Sequence, residues 1–230
     1  RLDSKIPIKV SGVVGDDENG QFIVDSLREY PNINIEGIVK KGRTAVTFAM
    51  TEKESKQRTF FFDPGTSLEF NEKQIDFKKI KADIFHLEYL LLLGTLDQPD
   101  EDYGTKAAKV LATAQKYEME TSVDMVSEEG NRYQKVVWPA LKYTDYCVVN
   151  EVEGTGVTGI QLYDKDGIKE ENMRKGLEKL KELGVKIIWV MPIFPISQTK
   201  RKATGGDDSK FASEMPKEEQ HKYLGSYYAV

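Results

Sequence analysis

The chain has 230 residues, 39% of them hydrophobic and 31% charged, with a net charge of −5. This length and ordinary globular balance point to one main domain, with at most a small appendage, and the acidic excess weighs against nucleic-acid binding through bulk charge. The longest apolar stretch, FHLEYLLLLG at residues 85–94, carries Glu88 and is too short to span a bilayer, which excludes an obvious membrane helix. The single cysteine, Cys147, cannot form an internal disulfide, and no zinc spacing accompanies His86 and His221. No signal peptide is visible, so a reducing cytoplasm is the expected location. The first residue is Arg1 and not Met, and residues upstream of it are expected.

In chain order, IKVSGVVG at 8–15 predicts a short strand, and the apolar spacing of residues 20–30 predicts a helix. IEGIVKK then reads as extended. AVTFAMTE and QRTFFFD are two β-rich runs around the polar KESK and predict a hairpin, followed by the turn PGTS. From residue 82 strands and helices alternate. ADIFHLEYL, TSVDMVS, DYCVVN and VKIIWVM predict strands, while residues 102–118, NRYQKVVWPALKY and residues 167–184 predict helices. Leu177, Leu180 and Leu183 mark a buried stripe on the last helix, with Gly184 as a candidate C-terminal cap. Alternation of this kind predicts an α/β fold whose mostly parallel sheet is covered on both faces. Residues 36–64 break the rhythm and read as a small β appendage. After Met191 the sequence is polar, broken by Pro and Gly, and reads as loop.

The run YCVVNEVEGTGVTG ends a buried strand in Asn150, Glu151 and Glu153. Ligands in open α/β sheets bind beyond the carboxyl ends of strands, and oxygen-rich groups there can hold a hydrated magnesium ion. The alternative is that Asn150 caps the next helix and the glutamates form its solvated first turn.

NEVE has the Asn-x-x-Glu form found in ribokinase-like (PfkB) carbohydrate kinases, and it lies where that family places it, after YTDYCVVN and before a VTG turn. SGVVGDDENGQFIVDSL resembles the family's early Gly/Asp segment and the helix behind it. GRTAVTFAMTEKESKQRTFFFDPGTS resembles its lid strands, and SVDMVSEEGNRYQKVVWPALKYTDY its central strand–helix stretch. The resemblance covers roughly residues 8–190. It implies a three-layer ribokinase-like fold in one domain over residues 1–230, represented incompletely, with a β lid at about 36–64. It also implies ATP-dependent transfer of the γ-phosphoryl group to a sugar hydroxyl, with Mg2+ and ATP as cofactors and a sugar as partner. A homodimer through the lid is a further expectation, since strand edges seek partners.

Carried onto this chain, the resemblance puts Asn150 and Glu153 on the metal side. Arg43 and Thr44 match the start of the lid, on the sugar side, against the alternative of a surface turn. Asp16 and Asp17 lie in the early Gly/Asp segment, where a turn role is the alternative. Glu88 ends a buried strand near where relatives contact sugar, or is simply that strand's exposed end. Asp124 is a phosphate-side candidate or a cap. Phe60, Phe61 and Phe62 cover a sugar or pack a lid interface, packing being the default.

Two departures stand out. The family's Gly-Ala-Gly-Asp run, whose Asp is the catalytic base, is not found in these 230 residues. Asp207 and Asp208 follow Gly205 and Gly206 but precede MPKEE, so the base is carried onto neither. The first strand of relatives, with its sugar-holding glycines, also precedes Arg1. A non-catalytic sugar- or nucleotide-binding relative is therefore the alternative expectation.

Overall fold

The computed structural model describes residues 6–53, 58–128, 130–164 and 167–190. The loop expected after Met191 lies outside these residues. In order they form β1 (Ile8–Val14), α1 (Glu18–Arg28), β2 (Ile33–Lys40), β3 (Val46–Thr51), β4 (Arg58–Asp63), β5 (Ile84–Leu90), β6 (Pro99–Asp100), β7 (Gly104–Thr105), α2 (Lys106–Lys116) and β8 (Glu120–Met125). A π-helical turn (Tyr133–Val137) leads into α3 (Trp138–Leu141), followed by β9 (Tyr146–Val149), α4 (Glu151–Thr158), β10 (Tyr163–Asp164), β11 (Gly167–Ile168), α5 (Glu170–Glu182) and β12 (Ile187–Val190).

The central sheet has the order β12-β9-β8-β5, and all three pairings are parallel. Parallel neighbours cannot be joined by a tight turn, so a helical crossover stands between each pair. The α2 helix joins β5 to β8, the π-turn and α3 join β8 to β9, and α4 with α5 joins β9 to β12. A second, two-stranded parallel sheet is β1-β2, with α1 as its crossover. Residues 36–40, at the start of the expected lid, belong to β2. The antiparallel hairpin is β3–β4, with Phe48 opposite Phe61 and Val46 opposite Asp63.

Strand alternation decides which face is buried. Leu87, Thr121, Val123, Met125, Cys147 and Val149 are buried, and the apolar members join one core with Val110 and Leu111 of α2, Ala140 and Leu141 of α3, Val157 of α4 and Leu180 of α5. The intervening His86, Glu88, Ser122, Asp124, Tyr146 and Val148 are exposed or half-buried. Among the described residues the helices thus cover one face of the central sheet, where two covered faces were expected. For the same reason Ile187, in a strand expected to be buried, is 52% exposed.

Two boundaries move for local reasons. The helix expected from residue 102 starts at Lys106, because β6 and β7 form a small hairpin and Thr105 accepts a hydrogen bond from Ala108 N as the cap. The helix expected over 167–184 is α5, whose end is followed by Gly184 at φ +116°, a conformation that suits glycine. Of its stripe, Leu180 is fully buried, while Leu177 and Leu183 are half-buried.

At the opposite end of the sheet from the strand C-termini, Asp145 is buried and ties three segments together. Its Oδ2 accepts hydrogen bonds from Thr121 N at 2.8 Å and Thr121 Oγ1 at 3.0 Å, and its Oδ1 lies 2.5 Å from Lys186 Nζ. Burial pushes this carboxyl up, but Lys186 and the Thr121 donors outweigh it and hold the group below the usual aspartate range. A depressed folded pKa contributes stability above the unfolded value, near 4, that is lost as pH falls through the folded value. Asp145→Asn is expected to cost about 2 kcal/mol at neutral pH, and to flatten the acid limb of a urea-monitored stability profile below about pH 4.

Candidate functional site

Asp207 and Asp208 lie outside the described residues, and most of the other polar residues weighed in the sequence fall at or soon after the C-terminal end of a parallel strand. Asp16 and Asp17 follow β1, Arg43 and Thr44 follow β2, Glu88 and Asp124 lie near the ends of β5 and β8, and Asn150 follows β9 directly. This is the edge where α/β sheets leave room for ligands.

At β9 the chain turns from strand to helix within one residue, and Asn150 is the N-cap of α4. Its Oδ1 accepts from Glu153 N at 2.8 Å, while Glu153 Oε2 accepts from Asn150 N at 3.0 Å, which closes a capping box. The cap alternative is therefore what Asn150 does geometrically. The first turn is not solvated as that alternative had it, because Glu153 is 7% exposed. Its Oε1 accepts from Asn150 Nδ2 at 2.8 Å and from Ser127 Oγ at 2.8 Å, and Ser127 Oγ in turn lies 3.1 Å from Asn150 Nδ2. Burial pushes the Glu153 carboxyl above the usual range, against the pull of Asn150 N and Ser127, and the nearby Asp124 charge adds to the rise.

Ser127 carried no signal in the sequence. It follows β8 and is placed by its neighbours: Glu128 N donates to Tyr133 Oη at 3.0 Å, and the Tyr133 ring packs so close to Gly156 of α4 that any Cβ there would run into it. Asp124 is not a cap. Its Oδ1 accepts from Tyr89 N at 2.6 Å and secures a residue with φ +60° at the end of β5. Glu88 is exposed, on the sheet face that no described helix covers.

At the other sheet, Asp17 caps α1 by accepting from Gly20 N at 2.8 Å. It also accepts from Thr44 N at 2.8 Å and Thr44 Oγ1 at 2.5 Å, and Gly15 N donates to Thr44 Oγ1 at 2.9 Å. The Thr44 hydroxyl, then its amide, holds the Asp17 carboxyl below its ordinary range. Thr44 is thus buried, which corrects the surface-turn alternative for it. Arg43 fits that alternative better: it is exposed and forms a two-armed pair with Asp63 at the end of β4, with Nη2 to Oδ1 at 2.9 Å. Asp17, Glu18, Asn19, Arg43, Thr44 and Val46 line an open cleft of about 390 Å³. The aromatic residues of the hairpin, expected to cover a sugar or pack a lid interface, stand out from the ribbon. Phe60, Phe61 and Phe62 are 56%, 57% and 40% exposed, because among the described residues no further layer covers the two-stranded ribbon.

The donor set bears on magnesium. Among the described residues no group of three or more His, Cys, Asp or Glu side chains is placed to hold an ion, and both Glu153 oxygens are occupied by internal donors. The residues present do not form a direct metal cage. They fit a hydrated ion carried by phosphate oxygens, which needs only ordered acceptors near its waters.

A parallel α/β sheet with polar side chains gathered at the C-terminal ends of its strands is a fold class that binds small molecules at that edge. A family model described as pfkB family carbohydrate kinase matches residues 4–190, and the chain belongs to that family. Its fold is that of the ribokinases. It is similar to the fructokinase of Xylella fastidiosa, with 20% identity, a TM-score of 0.58, and coverage of 80% of this chain and 55% of that one. It is also similar to the ribokinase of Arabidopsis thaliana, solved with ribose and ATP, with 17% identity, a TM-score of 0.61, and coverage of 80% and 55%. A 2-dehydro-3-deoxygluconokinase from Thermotoga maritima matches at 19% identity and TM-score 0.60, over 78% of this chain and 56% of that one. The chain thus spans a little over half the length of these structures, and at these identities the likeness is one of fold. No curated protein sequence matches it significantly.

Substitutions at two positions test this geometry. Asn150→Ala is expected to cost about 1 kcal/mol through loss of the cap, and more through the donor lost at the buried Glu153 Oε1, which then keeps only Ser127, read as a fall in urea midpoint. Thr44→Val leaves Gly15 N and Asp17 without their shared hydroxyl and should lower the melting temperature, while Thr44→Ser should restore it.

Proposed function

We propose that this chain forms the sugar-holding and magnesium-side portion of an ATP-dependent sugar kinase that transfers the γ-phosphoryl group to a carbohydrate hydroxyl. Membership of the pfkB family supports the reaction class. The observation that carries the reading for this chain is the buried Glu153 carboxylate, clasped by Asn150 and Ser127 at the C-terminal end of β9. Magnesium, when bound with ATP, supplies charge neutralisation on the transferring phosphoryl group. Asn150, Glu153 and Asp124 would hold it through its waters, and because both Glu153 oxygens are already satisfied, the part of Glu153 would be to orient and not to ligate directly. On the sugar side, Arg43 and Thr44 border the cleft, and Glu88 stands at the end of β5. None of these residues is assigned the role of base, and the particular sugar is not assigned. The reaction class favours the cytoplasm, where ATP and phosphorylated sugars are kept.

The hairpin supports a second part of this reading, a homodimer joined through the lid. Phe48, Met50 and Phe61 share one face of β3–β4 and are 64%, 62% and 57% exposed, and a two-stranded ribbon is marginal in water without a cover. Sedimentation of the wild-type chain is expected to show a dimer that Phe61→Asp converts to a folded monomer. A wild-type monomer at all concentrations removes the dimer from the proposal.

The test of the kinase reading is magnesium-dependent ATP binding by calorimetry, followed by phosphate transfer across a sugar panel. Glu153→Gln is expected to weaken the magnesium dependence by about 10-fold or more, as for other groups that orient a metal's partners, with the fold retained. Unchanged binding removes Glu153 from the mechanism. Sugar and ATP binding with no transfer would instead favour a binding protein without kinase activity.

A further inference from the structure

One guanidinium fastens two of the loops at the C-terminal edge of the central sheet; it lies inside a segment that resembles the family but is not among the candidate site residues, and the proposed site does not include it. Arg132 precedes the π-helical turn. Its Nη1 donates to Leu91 O at 3.1 Å and to Glu128 Oε2 at 2.7 Å, and its Nη2 lies 3.6 Å from Asp97 Oδ2. Asp97 is itself buried and accepts from Leu91 N at 3.3 Å and Leu93 N at 3.0 Å.

The backbone gripped in this way is strained. Tyr89 and Leu91 have φ of +60° and +82°, a region that residues with side chains avoid and keep only where the surroundings over-determine it. Three charged side chains from other segments do so: Asp124 at Tyr89 N, Asp97 at Leu91 N and Leu93 N, and Arg132 at Leu91 O. The same Nη1 that reaches Leu91 O also holds Glu128, the neighbour of Ser127, whose hydroxyl donates to Glu153. The other carboxylate oxygen of Glu128, Oε1, is buried with no hydrogen-bond partner among the described residues, so among these residues its side chain is held by the guanidinium alone. Only a planar fork of donors reaches Leu91 O, Glu128 and Asp97 together; a lysine ammonium keeps the charge but not that span.

We propose that Arg132, steadied by Asp97, is a positioning residue for the magnesium side of the site, holding the corner after β5 and the loop after β8 so that Asp124 and Ser127 stand against Glu153. The inference rests on the kinase reading given above. Arg132 touches neither substrate nor metal and acts through Leu91 and Glu128.

The test compares the wild-type chain with Arg132→Lys and Asp97→Asn, titrating Mg2+ into ATP-binding calorimetry and following amide hydrogen exchange at Leu91, Leu93 and Glu128. Arg132→Lys is the decisive variant should Asp97→Asn fold poorly. It is expected to raise the half-saturating Mg2+ concentration about 10-fold and to speed exchange at those three amides, leaving exchange in β3–β4 unchanged. Faster exchange with unchanged Mg2+ dependence would make Arg132 a structural brace only and overturn the proposal. Weaker Mg2+ dependence with unchanged exchange would overturn it as well, because the effect would not travel through these loops. Absence of Mg2+-dependent ATP binding in the wild type is a separate result, which sinks the kinase reading and this inference with it.

Discussion

A carboxylate taken out of water must find donors for both oxygens, and much of the C-terminal edge of the central sheet is arranged around that demand at Glu153. Loss of hydration disfavours the ionised group. Here the cost is offset by the Asn150 amide, the Asn150 side chain and the Ser127 hydroxyl, all within 3.0 Å. Two of these donors come with the helix cap, so the strand-to-helix turn after β9 and the satisfaction of Glu153 are one event. The third arrives from β8, which makes the clasp depend on how the neighbouring crossover is built.

That dependence explains the unusual backbone around it. A π-helical turn places Tyr133 against Gly156, a glycine because no Cβ fits beneath the ring. The Tyr133 hydroxyl then holds the loop that carries Ser127. Beyond it, Asp97 and Arg132 keep the corner after β5 in a left-handed conformation. Strain of this kind gathers where geometry is needed more than stability. The β1-β2 sheet solves a related problem differently, with one carboxylate, Asp17, capping α1 and gripping Thr44 together.

Much of this was legible in the sequence. The alternation of strands and helices from residue 82, the β3–β4 hairpin and the Asn-x-x-Glu element follow from local periodicity and cap chemistry, which short stretches of chain express by themselves. The expected helix at 102–118 was too long at its start because Thr105 is a cap, and a threonine inside a polar run gives no sign of which N–H it will accept. The exposure of Phe60, Phe61 and Phe62 is not legible in the run itself, because an aromatic run reads alike whether or not another layer covers it. Ser127, Asp97 and Arg132 were invisible: a serine, an aspartate and an arginine scattered over 36 positions have no spacing that marks them as one cluster.

The sequence by itself determined the family, the parallel α/β plan and the placement of Asn150 and Glu153 at a strand end, because these rest on order and local pattern along the chain. Only the tertiary structure decided that Glu153 is buried and satisfied, that Thr44 is locked to Asp17, that Arg43 faces outward to Asp63, and that one sheet face is left open by the described helices. Each of these depends on contacts between segments 20 or more residues apart. Burial and partner choice are properties of the packed chain, and no local stretch contains them.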